Sequence, residues 1–222
     1  MRIGIIGAGN IGGALTRGLT ALGHQVAVAN SRGPHTLGAL AKETGASAVT
    51  VEEAARAGEV VVVSIPEKSV RELPRGLLAD VPDSVVVVDT GNYYPRNRDG
   101  LIEEIENGRT ESRWVSDQLG RLVVKAFNNI YARSLAEGGK PKGARGRIAL
   151  PIAGDDPGGK AIVMRLVDEL GFDPVDAGGL DESWRQQPGT PVYTKDFDAD
   201  GVRRALAAAS PERPAAFRAG TK

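Results

Sequence analysis

The stretch Arg2-Ile3-Gly4-Ile5-Ile6-Gly7-Ala8-Gly9-Asn10-Ile11-Gly12 decides the fold of this 222-residue chain. Residues 2–6 form a short apolar run suited to a buried strand. The next six residues carry the spacing G-x-G-x-x-G, and each glycine has its own physical task. Gly7 permits a tight turn, Gly9 lets the backbone come close to a pyrophosphate, and Gly12 lets the following helix pack tightly on the strand. That helix opens at Gly9, Asn10 and Ile11, presents Ile11, Leu15, Leu19 and Leu22 on one face, and closes at Gly23. Its free N–H groups and dipole make an anion site that needs no charged side chain. A strand before the turn and an amphipathic helix after it read as a dinucleotide site.

Outward from this unit, strands and helices keep alternating. Gln25 to Asn30 reads as a second strand, followed by a helix through Leu37, Leu40 and Ala41 with Pro34 at its first position. Ala46 to Val49 is a short third strand. Thr50 and Glu53 form a capping box that starts the next helix. Glu59 to Ser64 and Ser84 to Asp89 are continuous β-branched runs, which belong in the middle of a parallel sheet covered on both faces. Leu101 to Glu106 reads as a short helix, and Leu122 to Ala126, Arg147 to Ala153 and Asp173 to Ala177 as further strands. Asp155-Asp156-Pro157 caps a helix that runs to Leu170 and Gly171. The expectation is therefore a doubly wound α/β domain over residues 1–180, with a mostly parallel sheet of about eight strands. Residues 181–222 are a short appendage on the same domain: a polar loop, a helix near Gly201 to Ala209, and a loosely ordered tail from Ser210 to Lys222.

Composition narrows the function. Twenty-eight basic residues balance twenty-eight acidic ones, which argues against a nucleic-acid partner. With no cysteine, thiolate chemistry, disulfides and cysteine-held metals are excluded. His24 and His35 lack a second histidine at metal-ligand spacing, and His24 reads as a helix-to-strand connector. No apolar run approaches the roughly twenty residues of a membrane helix, so a cytoplasmic protein with no membrane partner is expected.

At the end of the second strand an NAD enzyme would carry a carboxylate for the ribose hydroxyls. Here the residues are Asn30-Ser31-Arg32. Arg32 can pair with a 2′-phosphate, Ser31 can donate to it, and the helix at Pro34 points N–H groups, with His35, to the same place. NADP(H) is favoured. In an open α/β sheet, ligands bind at the carboxyl ends of the strands. The tips that should converge are Ser64-Ile65-Pro66, Asp89 to Tyr94 with Asn92, and Phe127-Asn128-Asn129. They supply amides, small polar groups and aromatics, but no evident proton donor, and Asp89 reads as a strand-end cap. No catalytic acid and no metal ligand is assigned. Ketone reduction needs a positioned general acid, whereas hydride passed between two redox rings needs mainly orientation and exclusion of water. The tips suit the second case.

Ile3 to Gly13, Asn30-Ser31-Arg32, Ser64-Ile65-Pro66, Val123 to Ile130 and Asp176-Ala177-Gly178 together resemble the NADPH-dependent reductases of the 8-hydroxy-5-deazaflavin coenzyme (factor 420), and the related cytosolic domains of membrane metalloreductases. The resemblance covers roughly residues 1–180, and Lys125-Ala126-Phe127-Asn128 is its more specific part. It implies a Rossmann fold in which Gly9 to Ile11 and Ser31-Arg32 hold NADP and Ser64 to Pro66 border the nicotinamide. A deazaflavin would stack on the nicotinamide face as the small-molecule redox acceptor, with Arg133, Lys140, Lys142, Arg145 and Arg147 available to its phosphate and glutamate tail. Equally, these charges read as a solvated loop. Asp181 to Pro191 departs from the family pattern, and Trp184, Arg185, Gln186 and Gln187 are expected to close the pocket.

Two other functions stay open. The first thirty residues also resemble pyrroline-carboxylate reductase, an imine reductase, although the long helical dimerisation region of that family is absent. The missing acid also suits a redox sensor that binds NADP(H) without turnover. The Tyr93-Tyr94 tip, Trp114 and Trp184 place aromatics in segments read as irregular, and a homodimer is expected on that basis.

Overall fold

The computed structural model describes residues 1–220; Thr221 and Lys222 at the end of the expected tail lie outside them. Along the chain the elements are β1 (Arg2–Ile6), α1 (Asn10–Ala21), β2 (Gln25–Ala29), α2 (Gly38–Thr44), β3 (Ser47–Ala48), α3 (Val51–Ala55), β4 (Val60–Val63) and α4 (Glu67–Val70). They continue with β5 (Val86–Asp89), α5 (Glu103–Glu106), α6 (Glu111–Leu119), β6 (Val123–Lys125), α7 (Ala132–Glu137), β7 (Ala149–Ile152), α8 (Pro157–Glu169), β8 (Asp173–Asp176) and α9 (Ala199–Ala207).

Six parallel strands form one sheet in the order β3-β2-β1-β4-β5-β6. The order reverses between β1 and β4, which is where a doubly wound sheet opens a crevice for its ligand. Alternate residues of the valine-rich strands feed two separate cores. Ile3, Ile5, Val60, Val62, Val86 and Val88 pack with Leu15 and Leu19 of α1 and Val163 and Val167 of α8. Ile6, Val61, Val63 and Val87 pack on the other face with Ala54, Val70, Trp114 and Val115. Both faces are apolar because both are covered.

The sheet expected to hold about eight strands stops at six. β7 and β8 pair in parallel as a separate two-stranded sheet, joined to β6 only by an antiparallel bridge between Lys125 and Ala153. β6 has three residues, and Phe127 leaves extended geometry at φ 62°, so the ladder with β7 cannot lengthen. Instead β8, α9 and Val192 make a third small core around Ala149 and Val175.

Local signals account for several helix starts. Thr50 Oγ1 accepts from Glu53 N while Glu53 Oε2 accepts from Thr50 N, completing the capping box. Asp156 accepts from Gly158 N and Gly159 N ahead of α8. The segment after Pro34 is a 3-10 turn, Pro34–Leu37, before α2 begins. Residues 111–119, read as irregular, form α6, capped by Thr110. The tail is also a correction: Arg213 Nη2 lies 2.7 Å from the buried Glu111 carboxylate, Ala219 N donates to Glu106, and Arg96 donates to the carbonyls of Ala215 and Arg218. These bonds tie residues 213–219 to the body of the protein.

Candidate functional site

The glycine turn folds as its spacing requires. Gly7 sits at φ 110°, and a Cβ there would stand 2.1 Å from the Ser64 carbonyl oxygen. A Cβ on Gly12 would stand 1.8 Å from the Gly7 carbonyl oxygen, so helix and turn touch backbone to backbone. Gly9 differs, since a Cβ there would meet nothing within 4 Å. It is the N-cap of α1 and offers no side-chain cap, leaving the first N–H groups of a twelve-residue helix facing open space. A pyrophosphate fits that space and those donors.

Two cavities meet at this turn. One, of about 520 Å³, runs from Gly7 and Gly9 past Asn30, Ser31 and Pro34 to Thr50 and Glu52, with Ser64, Ile65 and Pro66 on its inner side. Arg32 and His35 are exposed just beyond Ser31, and Asn30 Oδ1 accepts from Arg32 N, pinning the loop. Neither side chain lines the cavity wall. The second, of about 440 Å³, shares Gly9 and the Ser64 to Pro66 tip and adds Asn10, Ile11, Asn92, Asn128 and Tyr94. The cleft is thus two-lobed, with the nucleotide turn and the Ser64 tip at the waist.

The second lobe is built across long sequence separations. Asn92 Nδ2 donates to the Asn128 carbonyl at 2.9 Å, Asn128 Nδ2 donates to Asn92 Oδ1 at 3.1 Å, and Gln186 Nε2 donates to Asn128 Oδ1 at 2.9 Å. Tyr193 and Thr194, from the loop before α9, complete the wall, and the Tyr193 hydroxyl bonds to that of Tyr94. The sequence reading had Tyr94 only as an aromatic and missed Tyr193 and Tyr131 altogether. Hydroxyl proton donors are therefore present where none was evident.

Beneath Gly91, which lines this lobe, lies a buried set of charges. Lys125 Nζ donates to the Gly91 carbonyl at 2.6 Å and pairs with Asp89 at 3.1 Å. Asp89 accepts from Gly91 N and from Ser112 Oγ, so it caps the strand end as expected and also anchors an ion pair. Glu67, the residue after Pro66, is fully buried with neither carboxylate oxygen hydrogen-bonded. Burial raises its pKa well above the ordinary carboxylate value, and Asp89, Glu111 and Asp99 push the same way against Lys125. Burial works against the Lys125 charge, but Asp89, Glu111 and Glu67 outweigh it and hold its pKa above that of free lysine. Glu111 is likewise raised by burial, with Arg213 opposing. No feature of the local sequence marks these residues as buried.

Several expected site residues lie elsewhere. Phe127 is 3% exposed, belongs to the core with Ile130 and Leu135, and lines neither lobe, because its left-handed backbone turns the ring inward. Gln186 supports the lobe from behind, but Trp184 lines a different cavity, formed with the docked tail around Arg213. Arg147 is buried against Asp168 and Asp173 by α8, whose Glu169 meets His24 at the entry to β2. That is the end of the strands opposite Gly9. Arg133 pairs with Glu137, and Lys142 with Asp168. None of the five basic residues lines either lobe, although Arg133 follows Ala132, which does. Trp114 and Tyr93 are 1% and 0% exposed, so neither aromatic is on the surface for a second copy to meet.

A switch-point crevice, an open glycine turn and a helix N-terminus free for phosphate define a dinucleotide-binding oxidoreductase fold. Residues 2–93 match the family model for NADP oxidoreductases, coenzyme F420-dependent. The hypothetical protein SMa0349 of Sinorhizobium meliloti is 33% identical, with 89% of this chain and 95% of that one aligned at a TM-score of 0.75. This chain belongs to that Rossmann-like NADP oxidoreductase family. A putative F420-dependent NADP-reductase from Arthrobacter sp. FB24 shares the fold at 22% identity, covering 81% of this chain and 85% of that one, with a TM-score of 0.63. The putative protein YjhV of Escherichia coli K12 is 50% identical over 66 residues, which span 30% of this chain and 48% of that protein. The chain thus matches about half the length of that curated relative. Among the described residues, no helix is long and apolar enough to cross a membrane.

Proposed function

We propose that the protein moves hydride between NADP(H) and a deazaflavin or flavin-like acceptor. The observation that carries this reading is the two-lobed cleft whose lobes share Gly9 and the Ser64 to Pro66 tip. A dinucleotide laid along it would have its pyrophosphate on the N-terminus of α1 and its 2′-phosphate beside Ser31, Arg32 and His35. Its nicotinamide would lie against Ser64, Ile65 and Pro66, with the acceptor in the second lobe beside Asn92 and Asn128. Bound NADPH supplies the hydride. The chain supplies phosphate donors, a rigid nicotinamide wall and an adjoining chamber that orients the acceptor. Self-association stays a proposal, now without Trp114 or Tyr93 to support it.

Arg32→Ala tests the cofactor assignment. Losing charge-assisted bonds to a 2′-phosphate costs about 1.5 to 3 kcal/mol, a factor of roughly ten to over a hundred in NADPH affinity. NADH binding should change little. Equal weakening of both cofactors, or of neither, removes Arg32 from the site. The acceptor is tested by following NADPH oxidation with a panel of deazaflavin, flavins and quinones; binding without oxidation by any of them would favour a sensor.

A further inference from the structure

The acceptor lobe holds one arrangement that ring-to-ring hydride transfer does not use. Tyr94 comes from the turn after β5 and Tyr193 from the loop before α9, yet both line the lobe and their hydroxyls are hydrogen-bonded to each other. The Arg98 guanidinium also lines it, with its Cζ 5.0 Å from the centre of the Tyr94 ring. Asp99 fixes this geometry from below, since its carboxylate pairs with Arg98 at 2.9 Å and accepts from Tyr94 N at 2.8 Å. Between two paired hydroxyls lies one proton, and the other hydroxyl proton is free to point elsewhere. Burial raises the Tyr193 pKa above that of an ordinary tyrosine, and its bond to Tyr94 does the same, with Glu111 and Tyr131 adding to the effect. Either hydroxyl can donate within the pair. When Tyr193 donates, the Tyr94 proton is free for the lobe. Charge that develops on the Tyr94 oxygen as this proton leaves is met by the Tyr193 hydrogen bond and by the cation over the ring.

We propose that Tyr94 is the proton donor of this site, with Tyr193 and Arg98 as positioning residues, and that, beyond the ring acceptor proposed above, the same lobe reduces a small molecule bearing a polarised C=O or C=N bond. The inference rests on the reading that NADPH lies with its nicotinamide on the Ser64 to Pro66 tip. In the step, hydride forms a new C–H bond at the acceptor carbon while the π pair of the C=O or C=N bond moves to oxygen or nitrogen. That atom takes the Tyr94 proton, and the electron pair of the broken O–H bond stays on the Tyr94 oxygen. Water entering the open lobe returns the proton. NADPH is oxidised by two electrons, the acceptor is reduced by two, and one proton is consumed from solvent. The acceptor is small because the lobe is about 440 Å³ and the nicotinamide takes part of it.

The test compares wild type, Tyr94→Phe and Tyr193→Phe as full chains in two measurements. NADPH affinity, read from its fluorescence, should be equal in all three. Turnover is then measured with an aldehyde, a 2-oxo acid and a cyclic imine, with the solvent deuterium isotope effect on kcat taken for each. Tyr94→Phe should lower kcat on the carbonyl or imine acceptor by about 10²- to 10⁴-fold with KM nearly unchanged. Tyr193→Phe should lower kcat by a smaller factor, again with KM nearly unchanged and with an altered solvent isotope effect. Equal rates for wild type and Tyr94→Phe on every acceptor would overturn the donor, as would a wild type that binds NADPH but reduces none of the carbonyls or imines. Wild type that fails to bind NADPH would overturn the nucleotide reading itself, and the donor with it.

Discussion

Lys125→Met should be the most damaging conservative change near the site. The Lys125 ammonium is 0% exposed, pairs with Asp89 at 3.1 Å and donates to the Gly91 carbonyl at 2.6 Å. Methionine fills a similar volume but leaves the Asp89 carboxylate, 2% exposed, without its cation, and leaves the Gly91 carbonyl without its donor. Removing one partner of a buried ion pair costs about 3 to 5 kcal/mol. For a domain of this size each kcal/mol lowers Tm by roughly 2 to 4 °C, so the expected fall is about 6 to 20 °C. Adding Asp89→Asn to the variant should recover part of it. The second change removes the unpaired charge while keeping an oxygen to accept from Ser112 or from Gly91 N, 2.6 and 2.8 Å from the carboxylate. Thermal and urea unfolding of the two single variants and the double variant form the cycle. A loss under about 1 kcal/mol for Lys125→Met, or strict additivity in the double variant, would refute the claim that this pair is a coupled, buried support for the acceptor lobe.

Other perturbations separate structure from binding. Gly9→Ala should leave Tm within about 2 °C, because nothing stands near its added Cβ, yet weaken NADPH about tenfold or more by blocking the pyrophosphate. Gly12→Ala should instead cost about 1 to 3 kcal/mol or more in unfolding, because its Cβ meets the Gly7 carbonyl; equal behaviour of the two variants would show that the glycines are not divided in this way. Glu67 has a raised folded-state pKa, so the folded protein keeps a proton that the unfolded chain releases. Its contribution is full below the ordinary carboxylate range and is lost as pH rises toward the folded value. Urea midpoints at about pH 5 and about pH 8 should therefore differ less in Glu67→Gln than in wild type, and an unchanged difference would put the proton elsewhere. Arg213→Ala strips the cation from the fully buried Glu111, costs about 3 kcal/mol and frees the tail to proteases; a tail that stays resistant would mean that Arg96 and Glu106 hold it alone.

The parts of the fold legible in the sequence are those fixed by neighbours along the chain. Four valines in a row at 60–63 can only be a strand buried on both faces, and Thr50 with Glu53 can only satisfy the start of a helix by reaching each other. The division into two sheets was not legible, since nothing within Ala149–Ile152 says whether it extends a ladder with β6 or starts one with β8. α6 escaped because Glu111 and Ser112 look like solvent-facing residues, yet both are 0% exposed. Lys125 and Glu67 carry the same ambiguity. A charged side chain is read as exposed until its partner is known, and Asp89 stands 36 residues from Lys125.

The two lobes differ in this same respect, and the difference says where substrate choice resides. The nucleotide lobe is made of backbone and glycine conformation at Gly7 and Gly9, with Gly12 packed behind them and the polar tip at Ser31, all within the first 31 residues and all inside the stretch matched by the family model. The acceptor lobe is made of side chains that meet only through the tertiary fold. Tyr94 stands one residue beyond that match, and Asn128, Tyr131 and Tyr193 lie far beyond it. A glycine turn can serve any reaction that begins with NADPH, whereas a tyrosine pair beside a guanidinium suits one in which a proton is delivered. The family match covers the nucleotide lobe. On the proposal that the acceptor lobe sets what the hydride is given to, exchanges among Tyr94, Arg98, Asn128 and Tyr193 should alter the acceptor while leaving NADPH affinity in place.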